Sequence, residues 1–514
     1  MKYFLMLIQL WVGFLPICAS YPKANIWIIP SVESPQVYRN YAQTSKVHLE
    51  MARGEVEHIQ LVFPSKVNEE YRFTFDRNLK GIQISARELK KMNGYYDALV
   101  PFKNQLKCTD TLTAVWITVQ CPSRVPVGKY HQTIKIEGSK HFTIQLDYNV
   151  HHTTIPLKSS IPITVGVENR CVAEGLNDKE ADKERQRWVD FVLSYRMTPV
   201  FGTQITPERW QYEHSFSPWA WNDKRSIRLL NDRRYSCYML PFFTLSENEL
   251  ASLLCNIQKK GKLKESLFYI WDEPAYMEDY EQIKQKVNII RKYASDARIL
   301  TTFFCGPRNG PRKGDLYAVF DYLKHHIHVA TISLAPCKGN EEEVQHIRYK
   351  VPEGIDWWSY VCWQPGGNEP NFLLQMKGIQ QRAIMWRTWK NGSQGFLYWN
   401  CNIYHKRNPF TYITDMPHGD GILIYPGDIL GCKGPIASAR LERWRDGAEE
   451  MELLRLVEKN YSKEKADTLL NIVYSSPLSF IEKAHNIPFF RKELLDQLDK
   501  TIPIDYKLRI TDFI

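Results

Sequence analysis

Residues 267–274 read Leu-Phe-Tyr-Ile-Trp-Asp-Glu-Pro. Five β-forming residues run straight into two acids and a proline. Pro274 has no N–H to give a sheet ladder, and its ring restricts Glu273 to extended or turn geometry, so the strand ends at the acids. Helical patterns flank it on both sides. Ser246-Glu-Asn-Glu starts one with an acidic first turn that runs to about Lys260, and Met277–Ala294 forms the next. A strand between two helices, ending in acids, is the unit of a (β/α) barrel, where catalytic groups gather at the carboxyl ends of the strands.

Outward from this stretch the same rhythm continues. Strand patterns lie at Ile161–Val167, Thr198–Gly202, Cys237–Phe243, Ile299–Phe304, Val329–Leu334, Trp357–Cys362 and Gln394–Trp399. Helical spacing covers Lys179–Tyr195 and Phe372–Lys390. Residues 156–415 therefore predict a (β/α)8-like barrel in which Leu267–Trp271 is about the fourth strand. The insert from Thr206 to Arg234 carries too few helical signals for a clean repeat. Ahead of it, 21–155 reads as short strands between turns, such as Pro126-Val-Gly-Lys-Tyr130, and predicts an antiparallel β-sandwich. Residues 416–514 predict a glycine-rich turn and then helices packed on the barrel, Pro435–Lys459 being the strongest.

With 44% hydrophobic and 24% charged residues, the composition excludes wholesale disorder. It is rich in aromatics, with 15 Trp, 28 Tyr and 23 Phe, whose flat faces serve a large core or a sugar ring equally well. The net charge of +10 is spread along the chain, which argues against nucleic acid and is compatible with an anionic glycan. Lys2, the apolar run Tyr3–Ile17 and the small residues Cys18, Ala19 and Ser20 predict a signal peptide over 1–20 and an exported protein. A lipid on Cys18 is the less favoured alternative, because Ile17 is bulky for that motif. No later stretch is apolar enough to span a membrane.

Ten cysteines follow residue 18 without a CxxC pair; Cys108 with Cys121 is the nearest candidate disulfide, while Cys255 and Cys362 read as buried thiols. His325, His326 and His328 have only Asp321 near them, so neither a metal nor a cofactor is expected. No Gly-x-Ser-x-Gly elbow supports a serine hydrolase. The oligomeric state stays open.

Adjacent acids also occur at Glu69-Glu70, Glu278-Asp279 and Glu449-Glu450, in polar surroundings that suit solvated faces. Asp272-Glu273 stands apart because an apolar strand delivers it, although an acid capping the next helix competes with a catalytic role. Neighbouring residues on a regular strand point to opposite faces, so both reach one pocket only where the strand ends or bulges. Even then they sit too close to flank a glycosidic bond as acid and nucleophile, which need carboxyls about 5 Å apart on opposite sides. An adjacent pair suits substrate assistance, in which the substrate's N-acetyl group is the nucleophile.

Trp271-Asp-Glu-Pro274, Gln394-Gly-Phe-Leu-Tyr-Trp399, Gly419-Asp-Gly-Ile-Leu-Ile-Tyr-Pro-Gly427 and Ser438-Ala-Arg-Leu-Glu442…Arg445-Asp-Gly447 together resemble glycoside hydrolase family 123 and its wider relatives. The resemblance spans about Ile161 to Leu456. It implies an exo-acting enzyme that removes β-linked N-acetylgalactosamine by substrate assistance, with Asp272 orienting the amide and Glu273 as general acid and base. Tyr195-Arg-Met-Thr-Pro199 resembles the family's arginine segment, with Tyr195 where a histidine is expected, and adds Arg196 as a binding candidate.

Trp271, Trp358, Tyr360, Tyr398, Trp399 and Asn400, at strand ends, are candidate walls for the sugar. Alternation turns about half of such residues toward the helices instead. Trp363 follows the same strand as Tyr360. Gly419-Asp-Gly421 reads as a turn, and Arg440, Glu442, Arg445 and Asp446 as a structural ion network. Two alternatives remain: the same fold acting on a different or sulfated hexosamine glycan, and a non-catalytic glycan-binding protein.

Overall fold

The computed structural model describes residues 26–76, 80–206, 211–404, 409–410 and 418–501. The expected signal peptide and the Cys18 alternative fall outside the described residues. The N-terminal part forms two five-stranded sheets. One has the order β1 (Trp27–Pro30), β3 (Glu55–Pro64), β8 (Leu112–Cys121), β5 (Gln83–Met92), β6 (Tyr95–Pro101). The other runs β2 (Lys46–Arg53), β10 (His141–Thr154), β9 (Gly128–Glu137), β4 (Glu70–Phe75), β7 (Gln105–Lys107). Alternate residues turn inward, so that Leu61 and Ile117 of one sheet share an apolar cluster with Phe73, Ile134 and Leu146 of the other. The pairing is not wholly antiparallel as expected, because β2 runs parallel to β10.

The candidate Cys108–Cys121 disulfide is not formed. Both are buried free thiols, and Cys255 is exposed rather than buried.

The middle of the chain builds a nine-stranded, barrel-like sheet. Its order is β13 (Gln211–Ser215), β12 (Thr198–Thr206), β11 (Ile163–Glu168), β19 (Phe396–Tyr398), β18 (Asp356–Val361), β17 (Val329–Ser333), β16 (Arg298–Phe303), β15 (Ser266–Trp271) and β14 (Tyr238–Met239). All neighbours are parallel except β13, which is antiparallel to β12. The insert without a clear pattern supplies this odd strand and a short helix, Lys224–Leu229. Phe216 N donates to Met239 O at 2.7 Å, which brings β13 against β14 and nearly closes the sheet. The strand expected over Cys237–Phe243 shrinks to two residues at this seam.

Parallel strands are covered on both faces, and their alternation sorts side chains into two cores. Val200, Leu267, Tyr269, Leu300, Val329, Trp358, Tyr360 and Leu397 fill the interior. Phe268, Ile270, Ile299, Ile332, Trp357, Val361 and Tyr398 face the surrounding helices.

The C-terminal helix Ala439–Asn460 is buried along most of its length and packs on the helix Gly378–Lys390. Gly447 makes that approach feasible, since a Cβ there would collide with the Arg382 carbonyl oxygen. Charges buried by this packing are paired, as they must be. Arg382 meets Asp446 at 3.0 Å and Glu450 at 2.6 Å. Arg491, on the helix Ile487–Asp499, reaches Glu55 at 2.6 Å and Glu57 at 2.8 Å on β3. Arg440 binds Asp97 on β6 at 2.9 Å and the carbonyls of Phe372, Gly419 and Ile422. Among the described residues no helix is long and apolar enough to cross a membrane.

Candidate active site

The end of β15 departs from a regular strand where the acids begin. Tyr269 pairs with Leu300, but Trp271 pairs with Thr301, so one residue of β15 is skipped in the register. Glu273 then adopts a left-handed backbone with φ of 45°. That conformation costs a non-glycine residue about 1 kcal/mol, and such strain collects at sites that use it. The bulge and the left-handed residue together break the alternation that would send the two acids to opposite faces.

Hydrogen bonds fix both carboxyls over the interior of the sheet. Asp272 Oδ1 accepts from the Tyr269 hydroxyl at 2.6 Å and from Thr302 Oγ1 at 2.7 Å. Thr302, on β16, spends its single proton on Asp272 and accepts the Glu273 amide N–H at 2.9 Å. The Tyr360 hydroxyl, on β18, donates to Glu273 Oε1. Three strands thus hold two neighbouring carboxyls that both keep solvent access.

The electrostatics separate the two acids. Surrounding protein raises the Glu273 pKa above the ordinary glutamate range; the neighbouring Asp272 charge adds to this, while the Tyr360 hydrogen bond and the Arg308 charge pull it back. Burial holds the hydroxyls of Tyr269 and Tyr360 well above their usual pKa, so both remain donors. His214, on β13, stacks on the Tyr269 ring with centroids 4.3 Å apart. Burial lowers its pKa to about 4 despite the Asp272 charge, which keeps the imidazole neutral. An acid whose neutral form is favoured, beside a second carboxyl anchored by hydroxyl donors, is an arrangement for proton transfer to a leaving group.

Of the residues singled out in the sequence, Asp272, Glu273 and Tyr360 come together here. Trp358 lies in the same interior but is only 1% exposed, packed beneath Gly395, where a Cβ would strike its ring. Trp271 packs against the helix-side core, with Lys286 Nζ 5.6 Å from its ring centre. Tyr398 also faces the helices, against Phe372 and Trp444, and donates to Asp420 at 3.1 Å. The Trp399 indole N–H donates to the same Asp420 oxygen at 3.1 Å. Asn400 is buried and accepts from Asn402 N at 2.9 Å. Tyr398 and Trp399 hold the turn at Gly419–Gly421, where burial lifts Asp420 to about 6.

Arg196 is a correction. It precedes β12, whereas the acids follow the parallel β15, so the two stand at opposite ends of the sheet. Its Nε donates to Glu449 at 3.0 Å, and its other nitrogens bind the carbonyls of Pro156 and Gly54. It joins the buried ion network instead of the acid pair.

Tyr269, Thr302 and His214 were not singled out. Tyr269 had a signal, since it stands two residues after Leu267 on the inward-facing alternation. Thr302 shares the inward face with Leu300. His214 lay in the insert and had none.

Comparison with known proteins agrees with this architecture. Among curated proteins no sequence matches the chain. Across solved structures, a family 123 glycoside hydrolase from Clostridium perfringens, studied for glycolipid glycan hydrolysis, superposes with a TM-score of 0.64 at 14% identity, covering 95% of this chain and 100% of that one. A Bacteroides ovatus GH5 xyloglucanase aligns over 79% of this chain and 98% of its own at 10% identity, with a TM-score of only 0.26. Residues 183–457 match the glycoside hydrolase 123 catalytic domain, a stretch that includes the acids, their hydrogen-bond partners Tyr269, Thr302 and Tyr360, and most of the helix Ala439–Asn460. The chain belongs to glycoside hydrolase family 123 and is an enzyme of the glycoside hydrolase class.

Proposed function

We propose that this glycoside hydrolase removes β-linked N-acetylgalactosamine, or a related N-acetylhexosamine, from the non-reducing ends of glycans by a retaining, substrate-assisted mechanism. The observation that carries the reading is the unequal treatment of two adjacent carboxyls. Asp272 is anchored by two hydroxyl donors, and Glu273 is held toward its protonated form.

In the first step the substrate's acetamido oxygen attacks the anomeric carbon as the glycosidic bond breaks. Asp272 accepts the amide N–H and offsets the positive charge growing on that nitrogen. Glu273 gives its proton to the departing oxygen. In the second step Glu273, now a carboxylate, takes a proton from water as that water opens the cyclised intermediate from the side the leaving group vacated. Two displacements at one carbon return the original configuration.

We read the parallel strands as a (β/α)8-like barrel with β13 set into its seam, and the paired N-terminal sheets as a β-sandwich. We also infer export with cleavage near Ser20, which N-terminal mass measurement of the mature protein tests. The family match supports a glycan substrate, and glycolipid glycans are one natural form to assay.

The decisive experiment compares aryl β-N-acetylgalactosaminide with the β-N-acetylglucosaminide. Wild type should release sugar from at least one, Glu273→Gln should lower kcat by at least about a hundredfold, and a thiazoline mimic of the cyclised intermediate should inhibit strongly. Equal turnover of a sugar lacking the N-acetyl group would overturn substrate assistance. A panel of sulfated and other hexosamine glycans identifies the sugar if both aryl substrates fail.

A further inference from the structure

The loop after β16, residues 304–316, is built onto the segment that follows the acids. Arg308 N donates to Ala275 O at 2.6 Å, and Met277 N donates to Asn309 Oδ1 at 2.8 Å. Asn309 Nδ2 in turn donates to Glu278 Oε2 at 3.2 Å. The loop also closes on itself, with Gly314 N donating to Pro307 O at 2.7 Å, and a Cβ at Gly306 would collide with the backbone of Asp315. The backbone position of Arg308, bonded to Ala275 two residues beyond Glu273 in the chain, is therefore set by backbone bonds.

Two arginines of this loop are treated differently. Arg312 is neutralised twice, by Asp315 and by Asp321. Arg308 is exposed, lies against the Tyr276 hydroxyl and the Cys305 thiol, and among the described residues makes no ion pair. Tyr276 beside it is 46% exposed. A guanidinium without an ion-pair partner, carried on an anchored stretch of backbone next to an exposed aromatic ring, suits an anion carried on a ring-shaped ligand. Its charge is felt at Glu273, the acid that faces the departing oxygen. Its amide is also bonded to Ala275, two residues beyond that acid, and with Glu273 read as the proton donor to the departing oxygen this neighbourhood is the leaving-group side of the scissile bond.

We propose that Arg308 and Tyr276 form a leaving-group subsite for a sugar bearing an anionic substituent, a carboxylate or a sulfate ester. The guanidinium binds the anion through charge-assisted hydrogen bonds while the phenol ring lies along the sugar. The inference rests on the reading of the reaction given above. It narrows the natural substrate to acidic glycans.

The test uses three glycans in which β-linked N-acetylgalactosamine is joined to galactose: a neutral disaccharide, one with a sulfate ester on the galactose, and one with a sialic acid on it. Wild type should cleave at least one acidic glycan with kcat/KM about tenfold above the neutral one. Preference for the sulfated or for the sialylated substrate identifies the anion. Arg308→Gln should abolish the preference through KM, and Arg308→Lys should retain most of it. Equal kcat/KM for all three glycans, or an equal loss on all three in Arg308→Gln, overturns the subsite. If wild type cleaves none of them, the N-acetylgalactosamine reading fails, and calorimetry on the Glu273→Gln protein judges the subsite separately. Tighter binding of an acidic glycan than of the neutral one supports it, and equal or absent binding overturns it.

Discussion

Glu273 carries two pressures that oppose each other, and Tyr360 sets the balance between them. Crowding and the Asp272 charge favour the protonated acid, while the tyrosine's hydrogen bond favours the carboxylate. Removing the hydroxyl removes a force that lowers the pKa. In Tyr360→Phe the pKa of Glu273 should therefore rise, and the alkaline limb of the kcat profile, where the acid loses its proton, should move to higher pH. The maximum kcat should fall on the order of tenfold, because the carboxyl is no longer held in place. A limb that stays put or moves to lower pH would remove Tyr360 from this role. The acids themselves were legible in the sequence, because Pro274 marks the strand end. Arg196 was misplaced because the resemblance outweighed a signal already present: it stands ahead of the Thr198–Gly202 strand, at the end opposite the acids. Tyr398 was misjudged for another reason: one step of alternation separates the interior from the helix side, and the sequence does not state the phase.

Among the elements, the two helices that cross at Gly447 set the tightest geometric limit. A methyl group there meets the Arg382 carbonyl oxygen, a backbone atom that cannot swing aside. Gly447→Ala should push the helices apart, disturb the Arg382 pairs with Asp446 and Glu450, and destabilise the protein by about 3 kcal/mol despite alanine's better helix propensity. Urea unfolding measures this; an unchanged midpoint would show that the helices have slack. The boundaries of Asp178–Ser194 and Met277–Tyr293 were readable to within a few residues, because caps and apolar spacing are local signals. The helix expected from Phe372, by contrast, begins at Gly378, and those at Ala318–Leu323 and Glu341–Lys350 were not recognised. The strand β13 was not readable either, since an antiparallel strand filling a seam is selected by tertiary closure and leaves no period of its own.

On the scale of the whole molecule, the ion network joins parts that sequence patterns treat as separate. Arg491 lowers the pKa of Glu55, yet burial still leaves that carboxyl pushed up to about 8. Arg491→Met removes the opposing charge, so the folded-state pKa rises further above the unfolded value. A carboxyl in that position weakens the fold as pH increases through the range in which only the unfolded state ionises freely. The variant should lose distinctly more stability near pH 9.5, above the wild-type folded value of about 8, than near pH 5, where the carboxyl stays protonated in both proteins, read from Tm at both values. An equal loss at the two would place the effect in packing instead of charge.

Arg440 and Arg491 also impose an order in time. Asp97, Glu55 and Glu57 are made early in synthesis, but the guanidiniums that neutralise them come more than three hundred residues later. Until the chain's last hundred residues emerge, the underside of the N-terminal sheets holds uncompensated carboxylates that water must solvate. Docking of the C-terminal helices therefore brings the positive charges that let these carboxyls be buried in the finished enzyme.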